Sequence, residues 1–407
     1  MTKGDIIVSL DIGTSKVRAI IGELDGTTLN VIGVGSADGD GIRKGAIVDI
    51  DRTVQSIREA IDHAERMVGI QIQSAYVGIS GNHIALQNSH GVVAVSSPDR
   101  EIGEEDIARV MQAARVIALP PEREVIDVVP KEFIVDGLDG IHDPRGMIGV
   151  RLEVNAYIVT GSRTVIHNLV RCVERAGIQY AGLVLMPLAA SAVALSSDER
   201  NLGVVLCDIG AGQTTVSYFE HGVLTATSVI PIGGDYITND IAIGLRTTTE
   251  VAEAIKSRHG CALVSLASED ETFKVPRIGS NIEKEFNQVD LANIIEPRMQ
   301  EIFLLIQREV EKMGIPPKEV PGGYVLAGGV VSMPGTDKLA EYEFDAVVRV
   351  AVPEYLGVRD PSFVNGVGII KYVAKTYVRK SNAGTVPTRR KVNGFMDRIK
   401  GWFSEFV

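Results

Sequence analysis

Two short turns in this 407-residue sequence carry the residue types that grip phosphate: Leu10-Asp11-Ile12-Gly13-Thr14-Ser15-Lys16-Val17 and Cys207-Asp208-Ile209-Gly210-Ala211-Gly212-Gln213-Thr214. In each, small residues let backbone N–H groups approach an anion closely, and an aspartate ends the strand before the turn. A carboxylate there repels a bare phosphate but holds a metal-bound water well. The chemistry expected of Asp11 and Asp208 is therefore Mg2+ coordination through water. Gly13, Thr14, Ser15, Lys16, Gly210, Ala211, Gly212, Gln213 and Thr214 are then the phosphate-side candidates. A lone Asp-x-Gly turn is weak evidence, because many are merely turns. Two copies in one chain argue for a ligand shared between two related halves.

The elements that must position these turns repeat as well. Each turn lies between apolar runs, 6–10 and 17–21 in the first half and 204–207 and 215–219 in the second, the pattern of strand, tight turn, strand. An offset of 197 that aligns Asp11 with Asp208 also brings Asp25 and Gly26 near His221 and Gly222, and 29–34 opposite 226–232. Both halves read as three-stranded meanders. A third element runs from Gly323 to Gly335, a buried strand entering the pair Gly328 and Gly329. Without side chains, that pair lets a base and ribose lie on the backbone, and a helix opening near Met333 would point its N-terminus at phosphate. Val330 and Met333 join the glycines as adenosine-side candidates. By itself the segment is an ordinary strand-to-helix turn; beside the two hairpins it completes a nucleotide site.

In this order the three motifs resemble the phosphate 1, phosphate 2 and adenosine motifs of the actin-like ATPase superfamily, which includes Hsp70-type chaperones and sugar kinases. Ile230-Pro231-Ile232-Gly233-Gly234, the stretch 238–241, the stretch 254–262 and Ile294-Ile295-Glu296-Pro297-Arg298 are similar to segments of the FtsA family of bacterial cell-division proteins, and the similarity covers nearly the whole chain. It implies an α/β fold of duplicated actin-like lobes around a nucleotide cleft, with an inserted α/β subdomain, 1C. The expected division is subdomain 1A at 1–83, 162–196 and 360–378, subdomain 1C at 84–161, subdomain 2A at 197–234 and 306–359, and subdomain 2B at 235–305. A linker at 379–392 and an amphipathic helix at 393–407 follow. The resemblance further implies ATP and Mg2+ as cofactors, self-assembly into filaments, contacts with other divisome proteins, and a surface around Arg298 that receives the acidic C-terminal tail of the tubulin-like protein FtsZ. The plain alternative for Arg298 is a local salt bridge. Chaperone relatives bracket adenosine with an ExxK pair, which Glu253 and Lys256 match near Gly234; the alternative is an exposed i,i+3 ion pair.

Read from its residues, 84–161 is a small mixed α/β module, with strands at 90–96, 125–135 and 154–159 and a helix over 104–117 begun by an acidic first turn. In the second half a helix is expected over 247–259. Another is expected to open at Glu296-Pro297-Arg298, burying Ile302, Leu305, Ile306 and Val310 and turning Arg308, Glu309 and Lys312 to water.

Hydrolysis is less well equipped. Hsp70-like and MreB-like members carry Glu-Pro at the first interdomain connection, where it helps place the hydrolytic water; here Met186 precedes Pro187. A thioether accepts no proton from that water, so slow turnover is expected, lower by about 10²–10⁴-fold, with the nucleotide acting chiefly as a structural switch.

With 45% hydrophobic and 5% aromatic residues, the chain has the apolar content for two lobes with subdomains. Cys172, Cys207 and Cys261 stand far apart and read as buried apolar residues of a reducing compartment. The first strand begins almost at once, leaving no room for a signal peptide, and no apolar run approaches the roughly 20 residues that span a bilayer. A net charge of −11 argues against general nucleic-acid binding. That charge is uneven: from 376 onward seven Lys and Arg stand against Asp397 and Glu405. Within this basic tail Phe395, Met396, Ile399, Trp402, Phe403 and Phe406 recur at helical spacing. Such a helix suits the headgroup region of an anionic membrane, each nearby cation adding about 1 kcal/mol. Docking of that helix on its own core is the alternative. The place expected is the cytoplasmic face of the cell membrane, peripheral, at the division septum. A small-molecule kinase of sugars or carboxylates, or a pilus-assembly actin homologue, are the rival readings of the same fold.

Overall fold

The computed structural model of the chain describes residues 4–279 and 283–382; the amphipathic helix at 393–407 lies outside the described residues. Two five-stranded sheets carry the fold, and they share one topology. In the first, the antiparallel meander Asp5–Ile12, Lys16–Asp25 and Thr28–Asp38 is extended on the side of its first strand by two parallel strands, Ser74–Ile79 and then Gln179–Leu185. In the second, Val204–Ile209, Thr214–Glu220 and Val223–Ile230 form the meander, extended on the same side by Tyr324–Ala327 and Val348–Val350. The register preserves the repeat. Ile12 faces Val17 in one hairpin and Ile209 faces Thr214 in the other.

The strands beside each turn are buried on both faces, which explains their continuous apolar runs: Leu10, Val17, Ala19 and Ile21 enter one core, and Val205, Cys207, Ile209 and Val216 another. The Ile50–Val68 helix, capped by Asp49 accepting from the Arg52 amide and ended by left-handed Gly69, covers the first sheet. Gly35 makes this close packing possible, since a Cβ there would stand 1.9 Å from the Ala60 carbonyl oxygen. The helices Met186–Ala194 and Val364–Asn382 cross between the lobes; a Cβ on Gly368 would lie 2.2 Å from the Ala189 carbonyl oxygen, so the two backbones nearly touch.

The inserted unit is a four-stranded antiparallel sheet, in the order Ala85–Ala94, Arg151–Ser162, Arg123–Val135, Leu138–Ile141, with the Glu104–Arg115 helix on one face. The short strand Leu138–Ile141 had no apolar run to announce it. Asp106, the third residue of that helix, accepts from the Gly103 and Ser96 amides and from Arg109. Burial alone would raise its pKa, but these hydrogen bonds hold it down to about 2.

Three expectations need correction. The long helix of the second lobe runs over Gln288–Lys312, begun by the capping box of Asn287 and Asp290 eight residues before Glu296, so Pro297 sits inside the helix rather than at its start. Eight buried residues of this helix, from Leu291 to Val310, outweigh the hydrogen bond that Pro297 cannot donate. Glu309 does not simply face water, because it accepts from the Ser228 hydroxyl at 2.7 Å as well as from Lys312. The last long helix continues to Asn382, so the first residues of the expected linker, 379–382, are helical.

Candidate functional site

Both turns close in the same way. The Gly13 amide donates to the Lys16 carbonyl at 3.1 Å, and the Gly210 amide donates to the Gln213 carbonyl at 3.0 Å. A second glycine backs each: a Cβ on Gly39 would lie 2.6 Å from the carbonyl oxygens of Gly13 and Thr14, and one on Gly233 would lie 2.3 Å from that of Gly210. Gly39 was missed in the sequence because it is one of several glycines between Gly33 and Gly45, 26 residues after Gly13, and nothing local singles it out as the one that backs the turn.

The turns face one another. A Cβ on Gly212 would come within 2.6 Å of the Thr14 hydroxyl oxygen, which itself accepts from the Gly45 amide at 3.2 Å. Between them opens a cleft of about 770 Å³. Of the residues singled out above, Asp11, Gly13 to Lys16, Asp208, Gly210 to Gln213, Gly234, Glu253, Lys256, Gly328 to Val330 and Met333 all line it. Met186 also reaches its wall, with Gly78 closely packed against the thioether.

Thr214 departs from this set. It is fully buried and its hydroxyl donates to the Ile232 carbonyl at 2.8 Å, because it is the first residue of the returning strand and points into the core. Lys16 lines the cleft with its ammonium paired to Asp38. The pair Glu253 and Lys256 forms at 2.6 Å, but Lys256 is nearly buried and also donates to the Gly234 carbonyl at 3.1 Å and the Thr238 hydroxyl at 2.7 Å, so it is no free surface pair. Arg298 lies outside the cleft lining. Its guanidinium is engaged by Asp240 at 2.6 and 3.1 Å and by Glu301, the local salt bridge named above as the alternative.

Asp11 and Asp208 are brought together from the two lobes. Burial raises the Asp11 pKa to about 6, the charge of Arg18 opposing and that of Asp208 adding to it. Burial likewise raises that of Asp208, while a 2.8 Å hydrogen bond from Asn365 and the charge of Arg18 lower it. Neither Arg18 nor Asn365 was legible as a site residue. Arg18 does leave a trace, a charge within the otherwise apolar run 17–21; Asn365 leaves none, being 157 residues from its partner. Gly328, at φ +95°, completes the floor, since a Cβ would meet the Ile209 carbonyl oxygen at 2.4 Å and Asp208 Oδ1 at 2.6 Å. Among the described residues no cluster of three His, Cys, Asp or Glu forms a metal site. Two paired carboxylates short of positive charge fit a hydrated hard cation that takes its remaining ligands from water and phosphate.

Two lobes of one topology closing phosphate turns on a shared cleft define an actin-like fold. Solved structures agree in fold: a PilM-PilN type IV pilus biogenesis complex superposes with TM-score 0.63 at 17% identity, covering 90% of this chain and 98% of that one. MreB5 of Spiroplasma citri bound to ADP gives 0.55 at 15%, covering 93% and 99%. Family models for cell division protein FtsA and for the SHS2 domain inserted in FTSA match residues 205–368 and 81–160. Cell division protein FtsA of Bacillus subtilis is 53% identical over 375 residues, covering 92% of this chain and 85% of that protein. That of Escherichia coli is 35% identical, covering 98% of each. The chain belongs to the FtsA family of cell division proteins.

Proposed function

We propose that the cleft binds Mg-ATP and that the protein is a filament-forming adaptor holding the FtsZ ring at the cytoplasmic face of the membrane, where other divisome proteins join it. The observation that carries the nucleotide reading is the meeting of Asp11, Asp208 and both glycine turns around one cleft closed by Gly328. Mg2+ bound there would supply positive charge that offsets the charge of the phosphates. Asp11 and Asp208 would hold its waters, Asn365 orients Asp208, and Arg18 moderates the paired negative charge. Gly234, Glu253 and Lys256 face Gly328 to Met333 as the two walls of an adenosine pocket.

No helix among the described residues is long and apolar enough to cross a membrane. Attachment is assigned to the 393–407 segment, a single weak anchor that becomes effective when a filament presents many copies. Co-sedimentation with anionic vesicles, with and without ATP, comparing the intact chain with one ending at Lys391, tests this. Pelleting of the intact chain alone, enhanced by ATP, is expected; both chains remaining in solution would sink the membrane reading.

A further inference from the structure

A small hairpin, Ile42–Arg43 paired with Ala46–Ile47, turns through Lys44 and Gly45, whose φ angles are +49° and +72°. Glycine takes that conformation freely, whereas lysine rarely does. The hairpin is rooted in the first lobe: Ile42 is buried in its core, Ile47 packs against the same core, and the Val48 and Asp49 amides donate to the Gly41 carbonyl at 2.8 and 3.1 Å. Its tip lies across both phosphate turns. The Gly45 amide donates to the Thr14 hydroxyl, a Cβ on Gly45 would stand 2.4 Å from Gln213 Oε1, and one on Gly212 would stand 3.0 Å from the Lys44 Cα.

Lys44 then reaches the second lobe. Its ammonium donates to the Tyr236 hydroxyl at 3.1 Å and lies 5.6 Å from the centre of that ring, a contact made at the surface. Tyr236 stands in the first turn of the Gly234–Leu245 helix, which is tied to the second phosphate turn: the Gly234 amide donates to the Gly210 carbonyl at 2.9 Å and the Asp235 amide to that of Ala211 at 2.8 Å. The Arg298 guanidinium lies 5.8 Å from the same ring and is itself held by Asp240, which gives the ring a fixed place on the second lobe. Burial raises the Asp235 pKa, with Lys256 opposing and Glu253 adding, and Arg43 opposes it in turn, so a second charge of the hairpin acts across the gap. Lys44 and Tyr236 are 192 positions apart and belong to different lobes.

We propose that the 42–47 hairpin is a strap over the phosphate side of the cleft, and that Lys44 and Tyr236 fasten it as positioning residues that set how fast nucleotide leaves. This rests on the nucleotide reading of the cleft. A nucleotide whose phosphates lie between the two turns leaves as the turns separate, and their separation breaks the contact between Lys44 and Tyr236. The rarely adopted backbone at Lys44 aims the side chain across the gap instead of along its own lobe.

Three replacements separate fastening from other roles. Lys44→Asn removes the cation but suits the left-handed turn; Lys44→Arg keeps a cation; Tyr236→Leu removes the hydroxyl and the ring from the other side. Full-length wild type, the three variants and the Lys44→Asn/Tyr236→Leu double variant would be loaded with a fluorescent ATP analogue in Mg2+, and its dissociation rate read by stopped-flow displacement. The rate is expected to rise roughly 3–10-fold in Lys44→Asn and in Tyr236→Leu, as for one exposed charge-assisted hydrogen bond, to stay near wild type in Lys44→Arg, and to rise no further in the double variant. An unchanged rate in Lys44→Asn overturns the proposal. Effects of Lys44→Asn and Tyr236→Leu that multiply in the double variant overturn it too, because Lys44 then acts on the phosphates without Tyr236. Should a variant fail to fold, backbone exchange at 42–47 in wild type decides: slower exchange with nucleotide bound supports the strap, and equal exchange with and without nucleotide refutes it. Wild type that binds no analogue overturns the nucleotide reading itself, an outcome seen before any variant is made.

Discussion

The side-chain amide of Gln213 donates to the hydroxyl of Ser80 at 2.9 Å, joining the second phosphate turn to the first lobe. The two residues are 133 positions apart and come from different sheets, so their bond exists only when the lobes are closed. A hydrogen bond of this kind contributes about 1 kcal/mol. Ser80→Ala is therefore expected to raise the nucleotide dissociation rate about fivefold with little change in melting temperature. Stopped-flow displacement of a fluorescent nucleotide measures this; an unaltered rate would mean the bond plays no part in closure.

Gly328 should tolerate no side chain. Its φ of +95° disfavours any L-residue, and a Cβ would run into the Ile209 carbonyl and Asp208. Gly328→Ala is expected to cost about 1–3 kcal/mol of stability in denaturant titration and to displace Asp208 enough to abolish Mg-nucleotide binding in calorimetry.

Asp11 gives the site a pH dependence with a definite sign. Its folded pKa of about 6 lies above the ordinary 3.8 because burial disfavours the charged form. The ligand-free fold thus holds this proton more tightly than the unfolded chain does. Its contribution to stability is full below about pH 4 and is lost as pH rises through about 6. Mg2+ demands the ionised carboxylate, so Mg-ATP affinity should fall up to roughly tenfold per unit as pH drops below about 6. Isothermal titration across pH 5 to 8 would reveal it, and a flat profile would count against Asp11.

Arg298 is already occupied by Asp240 and Glu301, so an acidic peptide must compete for it. Removing the competitor should help: Asp240→Asn is expected to strengthen binding of an FtsZ tail peptide about 3–10-fold, and Arg298→Ala to weaken it. Fluorescence anisotropy decides, and insensitivity to both changes would place the peptide elsewhere.

The paired turns, the meanders and the glycine corner were readable because each is a local device: apolar alternation makes the strands, and glycine marks where backbone must approach something. The duplicated offset then gave the two-lobed plan. What only tertiary structure decided are the partners that distance separates. Asn365 reaches Asp208, Gly39 backs the first turn and His83 meets Ser162 because sheets and crossing helices bring them together. Thr214 and Pro297 show the reverse: a motif and a helix-breaker each suggested a local role, and burial against the rest of the fold outweighed it. Local sequence sets which conformations a segment favours, whereas packing decides which side chains share a site.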